Sequence, residues 1–329
     1  MNERILITGG AGFIGLALAQ AAVQRGARVT LLDNFSRGRR DMAFTALCDR
    51  VAVVEHDLTL PIPENLLRED YTAVYHLAAM VGVQQSNTLP YLVLRTNLLC
   101  TMHLLDWCTR ARPRALFFSS TSEVADGAVR VGLAELPTSE RLPLVIDAPH
   151  NPRSTYAASK LTGELLCLNY ARTNSMRIRI GRYHNIYGPR MGYEHVIPQL
   201  IERALKRLNP FTVYGPQQYR AFCYVDDAIE ATLALMQLDT EEPLLVNIGN
   251  DQQVTQIGDL ARAILALADF DPEIDEAPAP PGSPERRCPD ISSLSKLTGY
   301  RPAVSLQAGL QRTFSWYQKD WNYKQERER

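Results

Sequence analysis

Tyr156 and Lys160 stand four residues apart in Tyr156-Ala157-Ala158-Ser159-Lys160, a spacing that puts both side chains on one face of a helix. A tyrosine near its ordinary pKa of about 10 is a poor base at neutral pH. A neighbouring ammonium favours the phenolate and makes the pair able to take a proton from a hydroxyl. Upstream, the apolar run Ala115-Leu116-Phe117-Phe118-Ser119-Ser120 ends at Thr121-Ser122-Glu123. Thr121 can share the substrate proton, and Glu123 places a carboxyl beside it. Near the N-terminus, Gly9-Gly10-Ala11-Gly12-Phe13-Ile14-Gly15 follows the apolar Arg4-Ile5-Leu6-Ile7-Thr8 and precedes helix-forming residues. Glycines there let a backbone approach a pyrophosphate at the positive end of a helix. Alone, the glycines read equally as a plain turn, and Tyr156 and Lys160 as surface residues. Their order along one chain favours a dinucleotide held beside a base.

These residues need a scaffold that brings them to one place. A second strand-like run, Arg28-Val29-Thr30-Leu31-Leu32, ends at Asp33-Asn34, 18 residues after Gly15. An acid at that place can take both adenosine-ribose hydroxyls, which favours NAD over NADP. Arg37 and Arg39 follow closely and would suit a 2′-phosphate instead. Further apolar runs at 51–55, 73–77, 115–120 and 177–180 alternate with helical patterns such as 91–111. That alternation predicts an α/β fold with a Rossmann-type doubly wound parallel sheet, whose ligands gather outside the strand C-termini. Gly9, Asp33, Asp57, Ala78 and Thr121 all lie just past predicted strand ends. The pattern becomes less regular after residue 180, with a helix near 195–208 and a strand near 211–214. The expected division is an NAD-binding domain over 1–180 plus about 221–250. A smaller α+β substrate-binding domain would take about 181–220 and 251–320. Residues 126–152 are expected to form an irregular loop, 272–289 to wrap a surface, and the charged tail after Trp321 to fray.

Bulk properties exclude several classes. At 329 residues and 46% hydrophobic content the chain can bury a sizeable core. A net charge of −1 offers no attraction to nucleic acid or to a membrane surface. No apolar run approaches the ~20 residues that span a bilayer, and a strand starting by residue 4 leaves no room for a signal peptide. The six cysteines show no CxxC pairing and the six histidines no ligand spacing, so reduced cysteines, no metal and a cytoplasmic location are expected.

Together these residues resemble the extended short-chain dehydrogenase/reductase family, within its nucleotide-sugar epimerases, dehydratases and decarboxylases. The resemblance covers nearly the whole chain. Thr8 to Gly15 is similar to the family's opening, which implies that Gly9, Gly12, Phe13, Ile14, Gly15, Asp33 and Asn34 hold NAD. Asp57-Leu58 resembles its adenine-contacting pair, and His76-Leu77-Ala78-Ala79 its fourth-strand motif, bringing Ala78 to the cofactor. Tyr156 and Lys160 would serve both cofactor and catalysis, with Thr121, Ser122 and Glu123. Asn97 matches a helix asparagine that shapes the substrate site. Asn185 in Asn-Ile-Tyr-Gly-Pro resembles the residue that meets a sugar diphosphate, and Arg220 one that binds the nucleotide diphosphate. Arg287 and Asp290 resemble a pair around the diphosphate and uridine ribose. Guanidinium groups suit phosphate oxygens because their charge is permanent and their donors are paired. The resemblance implies a UDP-sugar substrate and a homodimer joined through helices near 91–111 and 156–173.

The residues beside Thr121 bear on the reaction. Family dehydratases carry Thr-Asp-Glu, and Ser122 stands in the aspartate's place. UDP-glucuronate decarboxylases carry Thr-Ser-Glu, and their Arg-Ala-Phe-x-Tyr-Val and Arg-x-Pro-Asp-Ile segments resemble 220–225 and 287–291. Oxidation at C4 would make a C5 carboxylate that of a β-keto acid, which loses CO₂. The alternative is a UDP-sugar 4-epimerase, since His76 to Val83 resembles the epimerases more closely. Glu123-Val124 also runs into Ala125-Asp126-Gly127, where the family has Tyr-Gly, and Met191 to His195 matches nothing assigned. A non-catalytic NAD-binding module is a more distant reading, disfavoured because Tyr156, Lys160, Thr121 and Glu123 are all retained.

Overall fold

The computed structural model describes residues 3–68 and 70–327. Six strands, β1 (Arg4–Thr8), β2 (Arg28–Asp33), β3 (Ala52–Glu55), β4 (Ala73–His76), β5 (Ala115–Thr121) and β6 (Arg177–Tyr183), join the strand Leu244–Ile248 in one sheet. From one edge the order is Leu244–Ile248, β6, β5, β4, β1, β2, β3, and every pairing is parallel. The doubly wound parallel sheet expected from the alternation is present. Successive residues of β1 and β5 go to opposite faces and both faces are apolar. Ile5, Ile7 and Phe117 enter one core, while Leu6, Leu116 and Phe118 enter the other. This is why the strands read as continuous hydrophobic runs rather than alternating ones.

The chain reverses its direction of winding between β1 and β4. A crevice opens at such a switch point, past the carboxyl ends of the strands. The helices Pro90–Ala111 and Ser154–Thr173 pack against each other beside the sheet. Gly163 sits where a Cβ would come within 2.3 Å of the Phe118 ring. Its absence lets the second helix lie close on β5, so Tyr156 and Lys160 reach the end of that strand.

Three small sheets follow. Ile186–Tyr187 pairs with Cys223–Tyr224, Phe211–Tyr214 with Ile274–Ala277, and Tyr219–Ala221 with both Val254–Gln256 and Arg286–Arg287. Thus the proline-rich stretch over 272–289 contributes two short strands, its prolines lying outside both, and Pro289 forms an isolated bridge with Thr138. The stretch over 126–152 begins with a helix, Asp126–Arg130, rather than loop. Beyond Trp321 the helix Leu306–Arg327 continues where fraying was expected, anchored upstream by buried Leu310, Phe314 and Tyr317. Glu328 and Arg329 lie outside the described residues. Cys48, Cys100, Cys108, Cys167, Cys223 and Cys288 are all free thiols. Among the described residues no helix is long and apolar enough to cross a membrane.

Candidate active site

Lys160 is only 4% exposed. Its ammonium donates to the Ser119 carbonyl at 2.7 Å and lies 4.9 Å from the Phe118 ring centre. Burial pulls its pKa down to about 8, against the opposing influence of Cys100, Cys167 and Glu164. Two residues past Ser119, Thr121 ends β5, and its Oγ1 accepts the Glu123 amide at 3.3 Å. That bond caps the short 3₁₀ turn Ser122–Ala125. Ser122 is buried beside it. Burial and the Glu123 carboxyl push the Tyr156 phenol above its ordinary range, while Arg37 and a hydrogen bond with Thr121 act in the other direction. Tyr156, Thr121 and Glu123 therefore lie together at the end of β5.

Two buried networks fix this geometry. Asn97 accepts the Met80 amide at 2.7 Å and donates to the Met80 carbonyl at 3.1 Å and to Ser159 Oγ at 2.9 Å. Ser159 Oγ in turn donates to the Tyr156 carbonyl at 2.7 Å. Asn97 thus ties the loop after β4 to the turn that carries Tyr156, and its amide is engaged within the protein. Glu164 accepts Ser120 Oγ at 2.5 Å and the guanidinium of Arg182 at 2.9 and 2.7 Å. This ion pair fastens the helix of Lys160 to both β5 and β6.

A second cluster of charge adjoins Glu123. Burial raises the Glu123 pKa; Arg287, Arg153 and Arg130 oppose the rise and Asp126 adds to it. Arg287 donates to Asp126 at 2.5 Å, and its buried Nε has no hydrogen-bond partner. Arg287 stands opposite Arg220 in the parallel pair of short strands. Burial, with Arg287 next, lowers the Arg220 pKa to about 10. Arg220 is spread over the carbonyls of Tyr219 and Glu285, Gln218 and Ser283. Asn185, at φ 44°, donates to the Ala221 carbonyl at 3.0 Å, beside Arg220 in sequence. Asp290 is turned elsewhere: its Oδ1 accepts the Ser292 amide at 2.8 Å and starts the next helix. The structure thus gathers Glu123, Arg287 and Arg220 and leaves Asp290 outside that cluster. Asp126 was visible in the sequence only as a break in the Glu-Val-Tyr-Gly pattern, and Arg153 gave no signal.

The cleft beside β1 and β2 suits a dinucleotide. Gly9, at φ +69°, passes so close to the loop after β4 that a Cβ would lie 2.8 Å from the Ala78 amide nitrogen. A Cβ on Gly15 would lie 2.2 Å from the Gly9 carbonyl oxygen. The helix Phe13–Gln24 begins at Gly12 with no side-chain cap and no acidic residue in its first turn, leaving its positive end for an anion. Asp33 accepts the amides of Ala11 at 2.9 Å and Phe35 at 2.8 Å, a carboxylate fixed with lone pairs to spare. Burial opposes the charge on Asp57, but bonds from Thr59 and Asn34 prevail and hold its pKa down. Leu58 is buried next to it. Arg37 is committed to the Val81 carbonyl and to Glu194 at 3.5 Å. The guanidinium of Arg39 lies 5.8 Å from the Tyr193 ring centre.

The model of the NAD dependent epimerase/dehydratase family matches residues 5–249. The chain belongs to that family. A UDP-N-acetyl-alpha-D-glucosaminuronate decarboxylase of Bacillus cytotoxicus is 34% identical over 97% of this chain and 99% of its own length. UDP-glucuronic acid decarboxylase 1 of Xenopus tropicalis is 32% identical over 97% of this chain and 73% of its own. Among solved structures, the UDP-glucuronic acid 4-epimerase of Bacillus cereus, crystallised with UDP-glucuronic acid and NAD, superposes with a TM-score of 0.84. It is 29% identical and the match covers 97% of this chain and 99% of that one. The cofactor of the epimerase/dehydratase family is NAD, and the glycine turn and fixed Asp33 fit it.

Proposed function

We propose that this member of the family oxidises C4 of a UDP-sugar uronate and decarboxylates the resulting β-keto acid, with UDP-glucuronate the substrate. The observation that carries the reading is the half-buried Glu123, which feels the charge of Arg287, acts on Tyr156 and stands two residues after Thr121. Tyr156 takes the proton of the C4 hydroxyl, Thr121 shares it, and Lys160 holds its charge nearby. NAD, when bound, supplies the acceptor for the hydrogen leaving C4. With C4 a ketone, the bond between C5 and the carboxyl carbon breaks. CO₂ departs, the electron pair passes into the enolate of that ketone, and a proton returns to C5. An ionised Glu123 would repel the substrate carboxylate, but burial raises its pKa and favours the neutral acid that can donate that proton. Arg220, Arg287 and Asn185 bind the diphosphate side of the substrate in this reading, and Asp290 supports the segment that carries Arg287.

The division of labour follows the sequence: 1–180 with about 221–250 holds NAD, and about 181–220 with 251–320 holds the nucleotide sugar. The pair of helices Pro90–Ala111 and Ser154–Thr173 leaves Met102 and Leu165 about half exposed around a shallow apolar depression that Leu105 and Leu166 also line. That face is the proposed seam of a homodimer.

A 4-epimerase is the second reading, favoured by the similarity to the Bacillus cereus enzyme. The two are separated by NMR of the purified protein with NAD and UDP-glucuronate. Appearance of UDP-xylose or its 4-keto precursor supports decarboxylation. Inversion at C4 with all six sugar carbons retained would make it an epimerase. In either case Tyr156→Phe is expected to lower turnover by at least about 10²-fold while NAD still binds.

A further inference from the structure

Arg190 lies in the segment that borders the sugar site, yet its side chain turns away from it. It adopts φ +68°, a left-handed conformation uncommon outside glycine and kept only where the surroundings impose it. Its side chain is 7% exposed. It donates to the carbonyls of Gly12 at 3.2 Å, Ala11 at 3.3 Å and Arg39 at 3.2 Å, and to the carboxylate of Asp41 at 2.7 Å. The other oxygen of Asp41 accepts the Phe44 amide and caps the helix Met42–Cys48. One side chain therefore joins the glycine turn, the loop after β2 and the segment following Asn185.

A planar trans peptide points its N–H opposite to its C=O. Arg190 holds the Ala11 and Gly12 carbonyls on one side, joined there by the Arg39 amide on Ala11 at 3.4 Å and the Leu16 amide on Gly12 at 3.1 Å. The Gly12 amide is already spent on the Gly9 carbonyl at 3.1 Å. The Phe13 amide, on the peptide whose carbonyl Arg190 grips, is left facing the other way, and the first amides of a helix have no acceptor within it. Asp41 pairs with the guanidinium and fixes its fork against the two carbonyls, so Arg190 acts on the turn through hydrogen bonds in a set direction.

We propose that Arg190 is a cofactor-positioning residue. By holding the carbonyl edge of the glycine turn it aims the amide edge at the diphosphate of NAD, and it ties that aim to the segment bordering the sugar site. The inference rests on the family's use of NAD. It is independent of which sugar reaction follows.

The test is calorimetric binding of ADP-ribose and of adenosine to Arg190→Met, Arg190→Lys and Asp41→Asn proteins, with thermal unfolding in parallel. Adenosine carries no phosphate, so it reports on the fold of the cleft without the turn amides. In Arg190→Met the dissociation constant for ADP-ribose should rise at least about tenfold while that for adenosine changes less than about twofold. Arg190→Lys, which keeps the charge but loses the fork, should fall between. Unchanged ADP-ribose affinity, or an equal loss for both ligands, overturns the proposal. If Arg190→Met does not fold, Asp41→Asn decides by the same criterion, with an expected weakening for ADP-ribose of about threefold. A wild-type protein indifferent to ADP-ribose would overturn the dinucleotide reading, and this inference with it.

Discussion

Glu164→Gln reaches both the stability of this protein and the chemistry of Lys160. The Glu164 side chain is 2% exposed and that of Arg182 4%, and Ser120 supplies a third bond. Glutamine keeps one acceptor oxygen but turns an amide NH₂ toward a guanidinium that, among the described residues, pairs with no other carboxylate. Breaking a buried pair by removing one partner costs about 3–5 kcal/mol, a large share of the roughly 5–15 kcal/mol of a typical folded protein. At about 2–4 °C per kcal/mol the melting temperature should fall by roughly 6–20 °C. Replacing both charges, with Glu164→Leu and Arg182→Met together, should cost less than the single change because no charge is stranded. Glu164 also helps keep Lys160 protonated. The Lys160 ammonium is present below its pKa of about 8 and lost as pH rises through it. Removing Glu164 lowers that pKa further, so the alkaline fall of the pH–rate profile should move to lower pH. Scanning calorimetry and initial rates across pH 6 to 10 read both effects. A melting temperature within about 2 °C of wild type, or a double variant less stable than the single, would refute the reasoning.

Two further changes probe the charges beside Thr121. Glu123→Gln keeps the size of a side chain whose burial already disfavours its charge, but it cannot supply a proton at C5, so CO₂ release should fall while oxidation at C4 persists. The rate of ¹³CO₂ release from C6-labelled UDP-glucuronate should fall about 10²-fold; an unchanged rate would show that Glu123 is not the acid at C5. Asp126→Asn releases Arg287 from its 2.5 Å contact. The freed guanidinium should hold the substrate diphosphate more firmly and lower the KM for UDP-glucuronate; initial rates measure this, an unchanged KM counting against it.

The sheet was legible because parallel strands are buried on both faces and leave continuous apolar runs such as Ala115 to Ser120. The cofactor turn was legible because only glycine tolerates the approach of Gly9 to Ala78 and of Gly15 to Gly9. Tyr156 and Lys160 announced themselves by helical spacing. What stayed hidden depends on contacts between residues far apart in the chain. Arg190 grips carbonyls 178 and 179 residues away, and Asp126 meets Arg287 across 161 residues. Neither produces a local pattern. The helix within 126–152 was obscured because it is one short turn with a glycine at its second position, Gly127, ahead of a proline-rich stretch, and the terminal helix because its buried anchors lie upstream of the charged tail.

The arrangement around Glu123 bears on why CO₂ would leave at all. An enzyme that must keep a uronate intact after C4 oxidation gains from a cation dedicated to the carboxylate, since that charge is dispersed as the bond breaks. Here Glu123 feels the charge of Arg287, but Asp126 already holds the Arg287 Nη2, and Arg220 is spread over two backbone carbonyls and two side chains. The cluster offers enough positive charge to admit an anion and no cation reserved for it. Burial at the same time disfavours ionisation of Glu123, which reduces repulsion on entry and leaves a proton available where C5 must receive one. A carboxylate weakly held beside an electron-accepting ketone and an acid is set up to lose CO₂. That balance, more than the presence of Glu123 alone, favours decarboxylation over epimerisation.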